Sequence, residues 1–133
     1  MTKILAVTAA FLALFAVGCT DNQGAAQTVK SAYVSLEKNQ TQDFVSLLSG
    51  EALATYGTPD GIVALQKTIS GLSLKIGDTE RLSNDGVRET WSVVVNTKEN
   101  TSTPILTAHL LCYVGYVEGG ESRSCSITSI QIN

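Results

Sequence analysis

The hydrophobic period of this chain changes once, at Leu72, and that change sets the order of its elements. Upstream, apolar residues recur at helical spacing; downstream they alternate in twos. Ala26, Val29, Ala32/Tyr33 and Leu36 make one stripe from about Ala25 to Lys38, which Asn39-Gln40 breaks. Thr41 is placed to cap a second helix carrying Phe44, Leu47 and Leu48. Ser49-Gly50 interrupts it before Ala52, Leu53 and Tyr56 continue the face, and Gly57 ends it. Thr58-Pro59 starts a third helix, the hydroxyl as cap and the proline at the first helical position. Its apolar face is Ile62, Leu65 and Ile69, closed by Ser70-Gly71.

From Leu72 onward the pattern predicts four strands. Leu72, Leu74 and Ile76 alternate with polar residues or glycine, and Trp91, Val93 and Val95 form the apolar phase of the return strand. Asn84-Asp85-Gly86 between them is a hairpin signal, because Asp-Gly suits the positive φ angles of a type I′ turn. An Asn84-Asp85 loop sets Glu80 opposite Glu89, a like-charge pair. An Asp85-Gly86 loop sets Glu80 opposite Trp91 and Ile76 opposite Val95, and is preferred. Lys98–Thr103 is a polar loop, and Pro104 leads into a third strand with Leu106, Ala108, Leu110, Cys112 and Val114 on one face. In the last strand Cys125 and Ile127 are in one phase and Ile130 and Ile132 in the other, which a bulge near Thr128-Ser129 reconciles. The expected architecture is α+β: three N-terminal helices packed on a four-stranded antiparallel meander sheet.

The N-terminus reads as an export signal. Lys3 precedes an uncharged run, Ile4–Val17, that falls short of the ~20 apolar residues of a permanent span and suits the core of a secretory leader. Ala16-Val17-Gly18-Cys19 resembles the lipobox of bacterial lipoproteins, with Ala16 where leucine is more usual. The resemblance implies a signal peptide over residues 1–18 and a lipid on the Cys19 thiol. A polar tether then fills residues 19–25, and a single domain spans 26–133. Thr20 stands where an aspartate would retain such a protein at the inner membrane. The implied location is therefore the cell envelope, lipid-anchored in the outer membrane and facing the periplasm. Each buried methylene contributes about 0.8 kcal/mol, so several acyl chains on one residue make dissociation negligible.

With Cys19 carrying lipid, Cys112 and Cys125 are the remaining two of three cysteines, in a compartment where disulfides persist. Their strands meet at a tight turn in Glu118-Gly119-Gly120. A Glu118-Gly119 loop sets Cys112 directly opposite Cys125, at a non-hydrogen-bonded pair where side chains approach most closely. A Gly119-Gly120 loop offsets them by two residues and makes the bond diagonal. The spacing is not CxxC and no basic neighbour lowers a thiol pKa, so the expected bond is structural.

Helices first and then a long hairpin sheet resembles the cystatin-like and nuclear-transport-factor-2-like superfamily, as found in small bacterial lipoproteins. The resemblance covers about Ala25 to Ile132. It rests on element order, the Tyr33 and Leu36 stripe, the Thr58-Pro59 helix start and Trp91. It implies a helix-covered sheet with a conical cavity, used for small ligands, catalysis or partner binding, and the fold alone does not choose among these.

Ketosteroid-isomerase-like members of that superfamily use buried carboxyl and Tyr groups. In the preferred register Asp78 and Glu80 share a face with Ile76 and Val93, which makes them the acid–base candidates; near the hairpin end they would instead meet water. Tyr33 and Trp91 are core aromatics that can line a cavity. His109 lies on the opposite face of its strand with Ile105, Leu111 and Tyr113, apolar residues on a face that should be wet. That face is the candidate interface for a homodimer or an envelope protein. Ser122, Ser124 and Ser126 form a polar sheet face, with no histidine in reach to make nucleophiles of them.

Nine Lys plus Arg against twelve Asp plus Glu give a net charge of −3, unlike a nucleic-acid binder. One His and three Cys do not by themselves make a zinc site. No phosphate-binding glycine loop appears, so no metal or cofactor is expected. Asn39-Gln40-Thr41 and Asn100-Thr101-Ser102 match the glycosylation pattern, and the resemblance of the leader to that of bacterial lipoproteins implies that both matches are chance. The expected role is a non-catalytic ligand- or protein-binding module anchored at the envelope. The alternatives are an isomerase-like enzyme and a toxin-immunity lipoprotein.

Overall fold

The computed structural model describes residues 21–133, with side chains from Gly24 onward. The signal peptide expected over residues 1–18 and the lipidated Cys19 lie outside the described residues. Four helices precede four strands: α1 Asp21–Glu37, α2 Thr41–Ser46, α3 Gly50–Tyr56 and α4 Pro59–Ile69, then β1 Leu74–Asn84, β2 Arg88–Thr97, β3 Pro104–Val117 and β4 Gly120–Ile132. The sheet is an antiparallel meander in the order β1-β2-β3-β4.

The α+β class and the helix-before-strand order are as expected, but there are four helices in place of three. The expected second helix divides because Leu47–Ser49 pairs with β4. Ser49 N–H donates to the Ile127 carbonyl at 2.8 Å, and Ile127 N–H donates to the Leu47 carbonyl at 2.8 Å. These bonds draw the chain out of helical geometry at Leu48, which forms an isolated parallel bridge with Ile127. Thr41 is not the cap of α2; Gln40 holds that position without a side-chain bond.

Of the stretch read as tether, residues 21–25 are helical. Helix α1 begins at Asp21, and Ala25 is fully buried in the core. At its other end Asn39 adopts φ 59°. Gln40 N–H then reaches the Ser35 carbonyl at 2.8 Å and Asn39 N–H the Leu36 carbonyl at 3.1 Å. This left-handed stop satisfies carbonyls that the helix end would otherwise leave without partners.

The start of α4 is as read. Thr58 has extended geometry, and its hydroxyl accepts from Gly61 N–H at 3.1 Å, with Pro59 in the first turn. Thr58→Ala is expected to cost about 1 kcal/mol, the usual worth of such a cap, checked by urea denaturation. Ile62, Leu65 and Ile69 all point into the core.

The core lies between the helices and one face of the sheet. Val29, Ala32 and Leu36 of α1, Phe44 and Leu65 meet Trp91, Val93 and Val95 of β2, Leu106, Ala108 and Leu110 of β3, and Ile127 of β4. The bulge expected in β4 is present. His109 pairs with Ser129 and Leu110 with Ile127, leaving Thr128 as the extra residue. Its hydroxyl donates to the His109 carbonyl at 3.1 Å. The slip turns Ile127 and Ile130 to the same side, as their phases require.

The first hairpin corrects the expected register. Ile76 does face Val95, but Glu80 faces Ser92, and Arg81 faces Trp91. Asn84 pairs with Glu89, so the turn spans Asp85–Arg88 in place of a two-residue Asp85-Gly86 loop. The Asp85 carboxylate holds this wider turn, accepting from Val87 N–H at 3.0 Å and Arg88 N–H at 2.7 Å. Two irregularities in β1, between Ile76 and Thr79 and between Arg81 and Ser83, take up the displacement and restore the pairing at Ile76.

Candidate functional site

The inner face of the sheet carries two environments. Over its middle, α1 and α4 enclose a cavity of about 30 Å³ lined by apolar side chains together with Tyr33. Small-molecule pockets run about 300–1,000 Å³, so this space is too small for such a ligand without rearrangement. Tyr33 lines it as expected; burial, and then the Glu37 carboxylate, push its phenol up. Trp91 does not line it. It is fully packed one step along the strand, with its indole N–H donating to Glu89 at 3.1 Å.

Toward the hairpin ends the inner face becomes ionic. Glu89 is 1 % exposed, in phase with Trp91, Val93 and Val95, so β2 turns it inward with the core residues. Arg123 of β4 donates to it from Nε at 2.7 Å and from Nη2 at 3.1 Å. Arg81 of β1 adds a contact at 3.1 Å, and Arg123 also meets Glu121 at 3.1 Å. The Arg123 hydrogen bonds hold the Glu89 carboxyl below the usual carboxylate range, against burial, with the Trp91 indole and Arg81 assisting. A carboxylate fixed by two guanidiniums and an indole is an ion-pair anchor and a poor proton acceptor.

This cluster was absent from the expectations. The signal for it was a charged residue two positions before Trp91 in an otherwise apolar phase. Its partners are contributed by the two outer strands, and nothing near them in sequence points to Glu89.

The acid–base candidates are elsewhere. Asp78 and Glu80 are both exposed. Glu80 pairs with Ser92 on the outer face, and Asp78 sits in the first β1 irregularity. Of the two readings, a cavity-facing pair and a pair that meets water near the hairpin end, the molecule has the second: the bulges invert the phase of β1 past Ile76, so neither carboxylate shares a face with Ile76 and Val93. Among the described residues no group of three or more His, Cys, Asp or Glu side chains could hold a metal ion.

Cys112 and Cys125 form a disulfide and stand directly opposite each other, with Cα atoms 4.0 Å apart. Val117 pairs with Gly120, which makes Glu118-Gly119 the loop and selects the directly opposed of the two expected arrangements. Ile105, His109, Leu111 and Tyr113 share the outer face of β3. The first three are half-buried and Tyr113 is exposed. His109 lies between Ser92 and Ser129. Ser122, Ser124 and Ser126 follow on β4, and Ser126 Oγ is 2.8 Å from Ser49 Oγ.

Among the described residues no helix is long and apolar enough to cross a membrane. No protein-family model matches the chain, and comparison with curated proteins gives no match.

Proposed function

We propose that the chain is a bacterial envelope lipoprotein anchored through Cys19, and that its cystatin-like, nuclear-transport-factor-2-like domain is a non-catalytic interaction module. The observation that carries the second part is Glu89. It is the carboxylate the fold turns inward, and it is spent on Arg123, Arg81 and Trp91. An acid–base enzyme of the isomerase kind needs a carboxyl tuned upward beside a void that admits substrate. Here the carboxyl is held down, and the small apolar cavity lies along the sheet from it.

The surface for a partner is the outer face of β3. Leu111 and Tyr113 present apolar area beside His109, and a groove of about 310 Å³ runs from Leu111 to Arg88 and Asp85. A second copy or an envelope protein is the occupant this face suits, with a polar rim around an apolar centre.

The anchor is tested first, by expressing the full chain in bacteria fed an alkyne fatty acid. Label is expected on the wild type, lost in Cys19→Ser, with the processed chain in the outer-membrane fraction. An unlabelled chain that keeps residues 1–18 would overturn the lipoprotein reading. For the module, a photo-crosslinking residue at Tyr113 is expected to yield one discrete adduct in intact cells. The absence of any adduct there would count against this face.

A further inference from the structure

The sheet outruns its helices at one end, and large apolar side chains stand bare there. Tyr116 is 72 % exposed and Val87 59 %, with Leu82 and Val117 about half exposed. They come from both hairpins, yet form one end of the molecule, because Val114 N–H donates to the Val87 carbonyl at 2.8 Å. Packing within the domain does not account for them. Val87 lies in the wide turn, Leu82 in the second β1 irregularity, and Tyr116 and Val117 end β3 just before the Glu118-Gly119 loop.

Helix α1 enters the fold at this same end. Gly24 lies so close to β4 that a Cβ there would stand 3.2 Å from Arg123 Cβ and 3.6 Å from Cys125 Sγ. Arg123 pairs with Val114, while Tyr116 pairs with Glu121 and Val117 with Gly120. At about 3.4 Å per residue the Val117 pair is therefore ~10 Å further out than the level of Gly24. Asp21 to Gly24 rise by about 1.5 Å per residue in α1, and two further residues lead back to Cys19, which therefore lies within about 12 Å of Gly24. A lipid on Cys19 thus keeps the apolar hairpin end beside the bilayer.

We infer that the two hairpin ends, with Tyr116 and Val117 foremost, dock into the bilayer surface to which Cys19 is anchored. This rests on the lipoprotein reading above. A patch this small binds membrane weakly from solution, but a fixed anchor makes the contact intramolecular and raises the effective lipid concentration. Tyrosine suits the headgroup level, its ring in the apolar layer and its hydroxyl in the wet one. The exposed charges around the patch are of both signs, Arg81 and Arg88 against Asp85 and Glu118. The contact therefore needs no anionic lipid and is insensitive to salt, unlike a polybasic patch.

The test uses the full lipidated chain in vesicles of phosphatidylcholine brominated along its acyl chains, with tryptophan placed at the hairpin end. Trp91 is 1 % exposed and gives a protected background. Tyr116→Trp emission is expected to shift to the blue and to be strongly quenched, equally at low and high salt. Val117→Trp serves as the second reporter, should the first variant not fold. Ile132→Trp stands at the far end of β4, about 40 Å away at the usual strand rise, and should stay unquenched. If the chain floats with the vesicles but neither hairpin reporter is quenched, docking is wrong and the anchor stands. If a hairpin reporter is shielded from aqueous iodide yet untouched by bromolipid, a second copy of the chain covers the patch, and the lipid proposal is overturned. A chain that neither carries lipid on Cys19 nor floats overturns the anchor and the docking together.

Discussion

Glu89→Gln is expected to destabilise the domain by about 3–5 kcal/mol, the range for removing one partner of a buried ion pair. The cost falls mainly on Arg123. Its side chain is 5 % exposed, whereas Arg81 is 38 % exposed and can turn its charge toward water. Glutamine keeps an oxygen for the Trp91 indole but removes the charge that offsets desolvation of the guanidinium. Against the 5–15 kcal/mol typical of a whole domain, such a loss is severe. Urea midpoints followed by Trp91 fluorescence measure it. Adding Arg123→Met to Glu89→Gln is expected to recover most of the loss, because the buried guanidinium is gone while the glutamine oxygen still accepts from the Trp91 indole. A single variant within 1 kcal/mol of wild type would show that the pair contributes nothing net.

The same group sets an acid limb. Its folded pKa is depressed, so its contribution is complete above the ordinary glutamate range near 4.3 and is lost as pH falls below that value. In that window the unfolded chain binds the proton first, and stability falls with pH. The Glu89→Gln variant should lack this part of the slope. An unchanged slope between about pH 5 and 3 would assign the acid sensitivity to other carboxylates.

The second large effect is expected from the disulfide. Cys112 and Cys125 are 13 residues apart, and closing a loop of that size restricts the unfolded chain by about 3 kcal/mol in the entropic account. The double variant Cys112→Ala, Cys125→Ala should lose about that much, or roughly 10–20 °C in Tm at this size. Calorimetry of the oxidised wild type against the variant measures it. A drop of only a few degrees would mean that the Glu118-Gly119 turn already closes the hairpin without covalent help.

These two features were unequally legible. The cysteine pairing followed from counting outward from a short loop, and loop and strands lie together in sequence. Thr58-Pro59 was legible for the same reason, since a cap and a fixed φ act within one turn. Ile76 opposite Val95 was also read, but from a turn the molecule does not use. The Asp85 side chain secures a wider loop, and β1 absorbs the difference in two bulges. Nothing in the alternation of β1 announces those bulges, so Asp78 and Glu80 were read in phase with Ile76, and only their place near the hairpin end spoke for the water they meet. The split of the second helix was hidden likewise, because the Leu48 bridge to Ile127 joins residues far apart in the chain. Glu89 was weighed only as a like-charge neighbour of Glu80. Its true partner Arg123 is 34 residues away, and only the closed meander brings them together.

The irregular backbone of β1 has a further consequence, for self-association. An open four-stranded sheet has two free margins, each able to template another chain. At β4 the Leu47–Ser49 segment already occupies part of that margin. At β1 the two bulges break the row of amide and carbonyl groups into short runs, and Lys75, Asp78, Glu80 and Arg81 add charge along it. Molecules crowded on a surface are thereby discouraged from stitching their sheets into fibres. Any assembly they form is left to the broad faces of the domain.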